Sequence, residues 1–281
     1  MRKVMFFVLL VFPALLCAQE NEMPVDLSYR SAMIGIGSYS LYDTYLSGQR
    51  TLYRGWGVRI LEDDMKMTRL LHGRVSSQQL VNFDFSSTKN TAKTATNYSL
   101  FLDYSYGLHV HFKPLPNLRL LAGPQVNVFL GAIYNTRNGN NPVSPKVTAN
   151  LGFSGIADYR FRIKKQALAV RYQLDIPLAG GMFSQDYGAS FYEISLGNRD
   201  GLFLFASLHN QWILKNYLTI ELPLRPFTVR LSQLCHLYRT DVRSLQTHIN
   251  SNALMIGLVK EFYTIPARKQ VKGGKYRRVF D

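Results

Sequence analysis

The chain has 281 residues, a formal charge of +15 at pH 7 and an aromatic content of 13%. Its length suits one large domain or one barrel. A basic balance can serve nucleic acid, anionic lipid or simply solubility. After the N-terminal region no segment approaches about 18 consecutive apolar residues, which excludes transmembrane helices.

The N-terminus has the three-part layout of a secretory signal peptide. Arg2 and Lys3 form a short basic start, residues 4–16 are apolar, and Ala18 precedes the first polar residues. An apolar run of about 13 residues is too short to span a membrane as a helix. We therefore predict that residues 1–18 are a signal peptide, cleaved after Ala18, and that residues 19–29 form an N-terminal periplasmic segment.

Cysteine usage narrows the chemistry of the exported chain. Cys17 could instead be a lipid-anchored N-terminus, but such sites favour small residues where Leu15 and Leu16 stand. With cleavage after Ala18, Cys235 is the only cysteine that remains. An intramolecular disulfide and a metal site built on paired cysteines are then excluded. Export also argues against nucleic acid as a partner.

Residues 265–281 are predicted to form a basic C-terminal tail, with Gly273 and Gly274 inside it. One interpretation is a flexible, solvated tail. The other is a segment that contacts anionic lipid headgroups or an envelope polymer. The basic residues of the tail are Arg268, Lys269, Lys272, Lys275, Arg277 and Arg278.

Between these ends, apolar and polar residues alternate with a period of two, which is typical of β-strands. Residues 97–112 show the pattern best, with Phe101 as the exception, and they extend well beyond the usual soluble strand. The alternation recurs in residues 118–132, 150–163 and 170–176. We predict strands near residues 31–40, 54–62, 67–84, 97–112, 118–135, 147–163, 167–177, 202–213, 217–237 and 251–263.

The polar face of these strands separates two architectures. A soluble sandwich buries its apolar face, whereas a membrane barrel turns that face to lipid and keeps a polar lumen. Long strands, the export signal and aromatics near strand ends favour the barrel. We predict an all-β fold: a transmembrane antiparallel up-and-down β-barrel over residues 30–264, in the bacterial outer membrane, with twelve strands, or ten as the alternative. The expected interfacial aromatics are Tyr98, Phe112, Tyr134, Phe161, Trp212, Tyr217 and Phe262.

The predicted connections differ in length. Short turns on the periplasmic side and longer loops outside are typical of such barrels, and this places both termini in the periplasm. Glu62, Asp63 and Asp64 predict an acidic turn, with a cation site as the alternative. Residues 180–201 fit either a further strand or one long loop. Tight turns are predicted at residues 113–117, 164–166 and 214–216, and longer loops at residues 86–96, 136–146 and 239–250.

Polar side chains opposite the apolar faces are predicted to line the lumen. A mixture of both charge signs can cross-link into a plug or line a narrow pore. Ten or twelve strands enclose a modest interior that side chains can fill, which favours a narrow or closed lumen. The candidates are Asp103, Ser105, His109, His111, Arg119, Gln125, Asn127, Asp158, Arg160, Arg171 and Asp175.

Catalytic and metal-binding motifs are weak in this sequence. His109 and His111 share a strand face with Asp103 and Ser105, but a spacing of two separates neighbours by about 6–7 Å, so no triad is assembled. Two histidines at this spacing need a third metal ligand from another strand. The sequence contains no His-x-Ser pair, which barrel phospholipases and lipid A deacylases carry. We predict no catalytic residue, no metal site and no cofactor.

Several short motifs resemble a family of outer-membrane β-barrels of unknown function from Bacteroidetes-type bacteria. The resemblance covers nearly the whole mature chain and implies a barrel fold, but it adds no chemistry. A closing strand with an aromatic finish also fits, although the chain continues beyond it. The other motifs are Gly35-Ile36-Gly37, Asp43-Thr44-Tyr45-Leu46-Ser47, Gly55, Phe183-Ser184-Gln185-Asp186-Tyr187-Gly188, Phe191-Tyr192-Glu193-Ile194 and Gly197-Asn198.

Three hypotheses of function stay open. The first is a non-enzymatic barrel, either a narrow pore or an envelope-structural protein. The second is a barrel-embedded lipid-modifying hydrolase or acyltransferase, for which the lumen histidines are the only support. The third is a soluble periplasmic β-sandwich binding protein. For the barrel, the expected partners are outer-membrane lipid and the barrel-assembly machinery.

The signal peptide can be checked directly. We expect the protein purified from membranes to begin at Gln19, because the small residue Ala18 ends the apolar run. Intact-mass spectrometry measures this, and the mass of an Ala18→Leu variant serves as a control for cleavage at that site. Retention of Met1 would contradict the prediction.

Overall fold

The structure is a computed structural model that describes residues 25–48, 51–164, 166–185, 196–197, 201–224, 227–263, 276–277 and 279. No helix in these ranges is long and apolar enough to cross a membrane. Besides one 3-10 turn at Leu70–Gly73, the described part of the chain forms twelve strands: β1 (Val25–Asp43), β2 (Tyr53–Met67), β3 (Val75–Asn90), β4 (Thr96–Leu115), β5 (Leu118–Asn135), β6 (Val143–Ile163), β7 (Gln166–Phe183), β8 (Phe203–Ser207), β9 (Gln211–Leu224), β10 (Phe227–Val242), β11 (Leu245–Tyr263) and β12 (Tyr276–Arg277).

Ten of these strands close into an antiparallel barrel. Strands β1 to β7 pair with one another in sequence order. β7 then pairs with β9, β9 with β10, and β10 with β11. The barrel closes where β1 pairs with β11, from Leu27 opposite Tyr263 to Asp43 opposite Thr247. The pairing of β1 with β11 joins the two edges that the ten-stranded sheet would otherwise expose. The predicted all-β antiparallel barrel is confirmed, with the alternative count of ten strands.

The predicted count of twelve strands is wrong for the barrel wall. β8 extends only the Ala179–Phe183 part of β7, and β12 makes a two-residue parallel pairing with the start of β1. The wall strands run from 14 to 21 residues, so ten of them use the chain that twelve shorter strands would need. The motif at residues 191–194, which was open to a further strand, lies outside the described residues.

Two predicted connections are also wrong. Residues 214–216 were expected to form a turn, but they lie inside β9. The polar Lys215, which suggested a turn, points into the barrel and pairs with Asp103. Residues 239–250 were expected to form a loop, yet β10 and β11 are joined by Arg243 and Ser244 alone. Both residues have positive φ angles, of 50° and 67°, as a two-residue hairpin turn requires.

The acidic turn is a third correction. Glu62, Asp63 and Asp64 lie within β2, where the alternation of the strand sends Asp63 inward and the other two outward. Arg30 on β1 pairs with both outward carboxylates, with N–O distances of 3.4 Å to Glu62 and 2.9 Å to Asp64. Three acidic residues in a row therefore belong to two different faces of a strand.

The barrel has two ends of different character. The turn end holds the β2–β3, β4–β5, β6–β7 and β9–β10 connections together with the first residues of β1 and the last of β11. The loop end holds the other connections, including the long one between β7 and β9.

The outer face of the wall is apolar, which reverses the arrangement of a soluble protein. Large aliphatic and aromatic side chains stand exposed in rows around the barrel, such as Ile36 at 64% and Leu254 at 67%. A continuous exposed apolar surface of this kind marks contact with another apolar phase. The prediction that Tyr217 lies at the membrane interface is wrong, because this side chain is 2% exposed and lies inside the barrel.

Gly123 on β5 is required by close strand packing. A Cβ atom at this position would collide with the carbonyl oxygen of Leu108 on β4. We expect Gly123→Val to lower the free energy of unfolding by about 1–3 kcal/mol, because the wall must shift to admit the side chain. Urea unfolding in detergent, followed by the heat-dependent gel shift of folded barrels, measures the loss.

The matched control is Gly139→Val in the β5–β6 loop, where an added Cβ atom has nothing within 4 Å. This variant should unfold at the midpoint of the wild type within about 0.5 kcal/mol. Equal midpoints for all three proteins would contradict the close approach of β4 and β5.

Candidate functional site in the barrel lumen

A buried ion network occupies the lumen between opposite walls. It consists of Asp63 on β2, Arg171 on β7, Glu221 on β9 and Arg230 on β10. Asp63 is paired with Arg171 and lies 2.7 Å from the Arg230 guanidinium, which in turn lies 2.6 Å from Glu221. β2 and β7 are five strands apart in a ring of ten, so the Asp63–Arg171 pair joins facing sides of the barrel.

Further hydrogen bonds and one ring contact hold the members of this ion network in place. Arg230 donates to the Ser31 hydroxyl at 2.6 Å, and Gln78 donates to Asp63 at 2.9 Å. Tyr29 donates its hydroxyl proton to Glu221, and the Arg171 guanidinium lies 5.6 Å from the centre of the Tyr217 ring. Buried charges are tolerated when they are paired and hydrogen-bonded in this way.

A second buried pair lies nearer the loop end. Arg59 and Asp84 face each other on β2 and β3 and make two N–O contacts, at 2.6 and 3.0 Å. Arg59 also donates to the Ser251 hydroxyl on β11, at 2.9 Å. Tyr39 and Asn82 donate to the Asp84 carboxylate at 2.5 and 2.7 Å. A bidentate arginine–carboxylate pair fixes the geometry of both side chains.

The structure brings three of the predicted lumen residues, Asp103, Ser105 and Asn127, together around one lysine. The Lys215 ammonium lies 2.7 Å from Asp103 and 3.1 Å from Ser105. Asn127 donates to both of these acceptors, at 2.6 and 3.1 Å. Since β4 and β9 lie on different sides of the ring, this group forms another link across the lumen.

His109, Gln125 and Asp175 form a separate buried group through Ser154. Ser154 donates to Asp175 at 2.6 Å and lies 2.9 Å from Nε2 of His109, while Gln125 is 3.4 Å from Asp175. In a catalytic triad the carboxylate orients the histidine. Here the carboxylate holds the serine, and Nδ1 of His109 has no hydrogen-bond partner in the described part of the chain.

The other predicted residues lie towards the turn end, where the lumen meets solvent. Asp158 is buried and pairs at 3.0 Å with Arg160, whose side chain is 44% exposed. His111 is half-buried and lies 2.8 Å from the Ser76 hydroxyl. Arg119 donates to the Val279 carbonyl oxygen at 2.6 Å. Together with Arg171 in the ion network, this accounts for every candidate residue.

Several lumen residues escaped the sequence analysis. The inward Arg59 and Asp63 alternate with outward residues such as Val58 and Ile60, and this alternation indicates a strand with a polar inner face. The pattern is obscured because the outward Glu62 and Asp64 are also acidic. Lys215 was assigned to a turn. Further members that were missed include Asp84, Glu221 and Arg230.

Apolar clusters close the lumen above and below the charged groups. At the loop end, Phe129 stacks on Phe101 and Tyr238 with ring centroids 5.0 and 5.1 Å apart. At the turn end, Val279 from the C-terminal segment is 2% exposed and packs with Met65 and Leu121. Within the described ranges, no three His, Cys, Asp or Glu side chains converge as metal ligands would.

These features define the class of protein. A closed antiparallel barrel with an apolar outer surface and a polar interior is the architecture of transmembrane β-barrels. The chain belongs to the family described as "Protein of unknown function (DUF3316)", which matches residues 4–269. No curated protein matches the chain in sequence.

Several solved barrels are similar to the chain in shape. The transport unit of the autotransporter AIDA-I from Escherichia coli shares 9% identity over 89% of this chain and 94% of its own, with a TM-score of 0.49. The translocator domain of the autotransporter NalP from Neisseria meningitidis shares 9% over 87% and 90%, with a TM-score of 0.35. The outer membrane protease OmpT from Escherichia coli shares 8% over 85% and 97%, with a TM-score of 0.36.

The ion network can be tested with two neighbouring carboxylates. We expect Asp63→Asn to lower the free energy of unfolding by about 3–5 kcal/mol, because it leaves two buried guanidinium groups with the single carboxylate of Glu221. Urea unfolding in detergent micelles, followed by tryptophan fluorescence, measures the change.

Glu62→Gln is the control, since Glu62 lies next to Asp63 on the outer face and its side chain is 49% exposed. Loss of an exposed ion pair should cost less than about 1 kcal/mol. If the two variants unfold at the same urea concentration, the ion network does not stabilise the barrel.

Proposed function

We propose that the protein is an outer-membrane β-barrel with a sealed lumen, which acts as an envelope-structural barrel and not as a solute pore. The observation that carries this proposal is the filling of the lumen by cross-linked charges between two apolar clusters. A conducting pore needs a continuous wetted path. Phe101 and Phe129 at one end and Val279 at the other occupy the path that such a pore would need.

The apolar outer surface supports residence in a membrane. Large aliphatic side chains such as Ile34, Ile60 and Ile256 are more than half exposed, an arrangement that water would oppose and lipid favours. Outer-membrane lipid is therefore the proposed surrounding partner. The predicted signal peptide supports export, and the closing strand supports handling by the barrel-assembly machinery. Short turns at the turn end support a periplasmic position for that end.

Enzymatic activity in the lumen has less support than a structural role. His109 is 0% exposed, so a substrate has no route to the Ser154–His109 pair. The Asp175 carboxylate accepts a hydrogen bond from the Ser154 hydroxyl, and among the described residues no carboxylate bonds to His109. A nucleophile in this arrangement lacks the general base that a triad supplies.

Planar bilayer recordings test the sealed lumen. We expect the purified wild-type protein to give no steady conductance steps at neutral pH, because side chains block the path at three levels. An open porin inserted under the same conditions is the positive control, and the heat-dependent gel shift shows that the sample is folded. Large, steady steps from the wild type would overturn the proposal.

A further inference from the structure

Two rows of side chains interrupt the apolar outer face near the loop end. The rows run across five neighbouring strands, from β10 through β11, β1 and β2 to β3, and strand register places their members side by side. The row nearer the middle of the barrel is Cys235, Asn252, Ser38, Trp56 and Ser87. The row nearer the loop end is Leu237, Asn250, Ser40, Arg54 and Lys89.

These rows form an open groove in the outer wall. Its lining includes serine and asparagine side chains on β1 and β11 together with Arg54 and Trp56 on β2. The β3–β4 turn, with Lys93, borders the end nearest the loops, and the groove has a volume of about 1110 Å³. The next row towards the middle of the barrel is apolar on four of the five strands, over Leu254, Ile36, Val58 and Phe85, and carries Gln233 on β10.

The charges of the groove have one sign. Arg54 and Lys89 are direct cross-strand partners, both exposed, and no carboxylate is among the described residues that line the groove. Like charges placed directly opposite each other destabilise a sheet. Neither residue takes part in an ion pair within the described ranges. An anionic occupant would neutralise this pair, and nothing else in the described part of the wall does.

The position of the groove further limits the chemical class of the ligand. The apolar row beside it continues into the exposed aliphatic surface, so the groove lies where polar and apolar surroundings meet. Trp56, which is 69% exposed, stands at this boundary, as aromatic side chains of membrane barrels do. A ligand here meets cations on its polar side and aliphatic side chains on the other, which is the chemistry of a charged lipid.

We propose that this groove binds the phosphate-bearing headgroup of a lipid in the membrane leaflet at the loop end. The Arg54 guanidinium suits bidentate phosphate binding, and Lys89 adds a second charge. Ser40 and Asn250 offer hydrogen bonds to sugar or phosphate oxygens, and the lipid chains lie over Ile36 and Val58. The inference rests on the proposed membrane location, but it does not depend on whether the lumen is sealed.

The test uses the folded full-length mature protein in neutral detergent and lipid A with two phosphates as the probe. We expect the wild type to bind this lipid about 30-fold more tightly than the Arg54→Gln/Lys89→Gln double variant, since each cation near an anionic headgroup contributes to the affinity. Native mass spectrometry at several lipid concentrations gives both affinities. The double variant should still fold, because the substitution removes a repulsive pair.

The matched control is Lys66→Gln/Lys113→Gln, which removes the same charge from exposed positions near the turn end. This variant should bind like the wild type. Equal weakening by both double variants would overturn the site in favour of general attraction to a basic protein. A second test compares two lipids on the wild-type protein. If the wild type binds dephosphorylated lipid A as tightly as the phosphorylated form, the proposal is also overturned.

Two further outcomes separate the proposals. If inorganic phosphate binds the wild type as tightly as the lipid does, the groove is an ion site and the lipid assignment is wrong. If the wild type conducts in bilayers yet binds phosphorylated lipid selectively, the sealed lumen fails while the groove stands. A silent barrel without selective lipid binding contradicts the groove alone.

Discussion

The barrel depends on the neutralisation of charges that its own closure buries. A ring of ten strands directs every second side chain into a space too narrow to keep each charge hydrated. Asp63 meets this constraint by accepting from Arg171 and Arg230, which come from different parts of the wall. Arg59 with Asp84 and Lys215 with Asp103 repeat the solution at other levels. Neutralisation and cross-linking are thus the same set of contacts.

The barrel class could be predicted from the sequence because a period of two is a local property. Residues 97–112 show both faces of β4 almost without error, and Phe101, the apolar exception on the polar face, belongs to the apolar cluster at the loop end. A polar face with one large aromatic is therefore consistent with a lumen that is partly apolar. This detail is visible in the sequence, but its meaning depends on the partners Phe129 and Tyr238.

The charge pairs could not be predicted from the sequence, since they depend on contacts across the lumen. Arg171 and Asp63 are 108 residues apart, and no periodic pattern relates the residues of facing strands. Errors arose where polarity on both faces imitated a turn, as at Glu62 to Asp64 and around Lys215. The turn between β10 and β11 was missed for a different reason. It consists of Arg243 and Ser244, and a two-residue turn without glycine or asparagine lacks the usual sequence signal.

The cross-linked lumen constrains where the protein can act. Opening a path would separate several buried pairs together, and each one that loses a partner would cost about 3–5 kcal/mol. A widening motion of the wall is therefore opposed by ion pairs that cross the lumen at different levels, such as Asp63 with Arg171 and Lys215 with Asp103. Exchange with partners then falls to the surfaces that remain accessible, which are the loops, the turn end and the outer wall. On that wall, the facing Arg54 and Lys89 form a like-charged pair whose repulsion the described residues leave unrelieved, and this is why the groove is the place to look for a ligand.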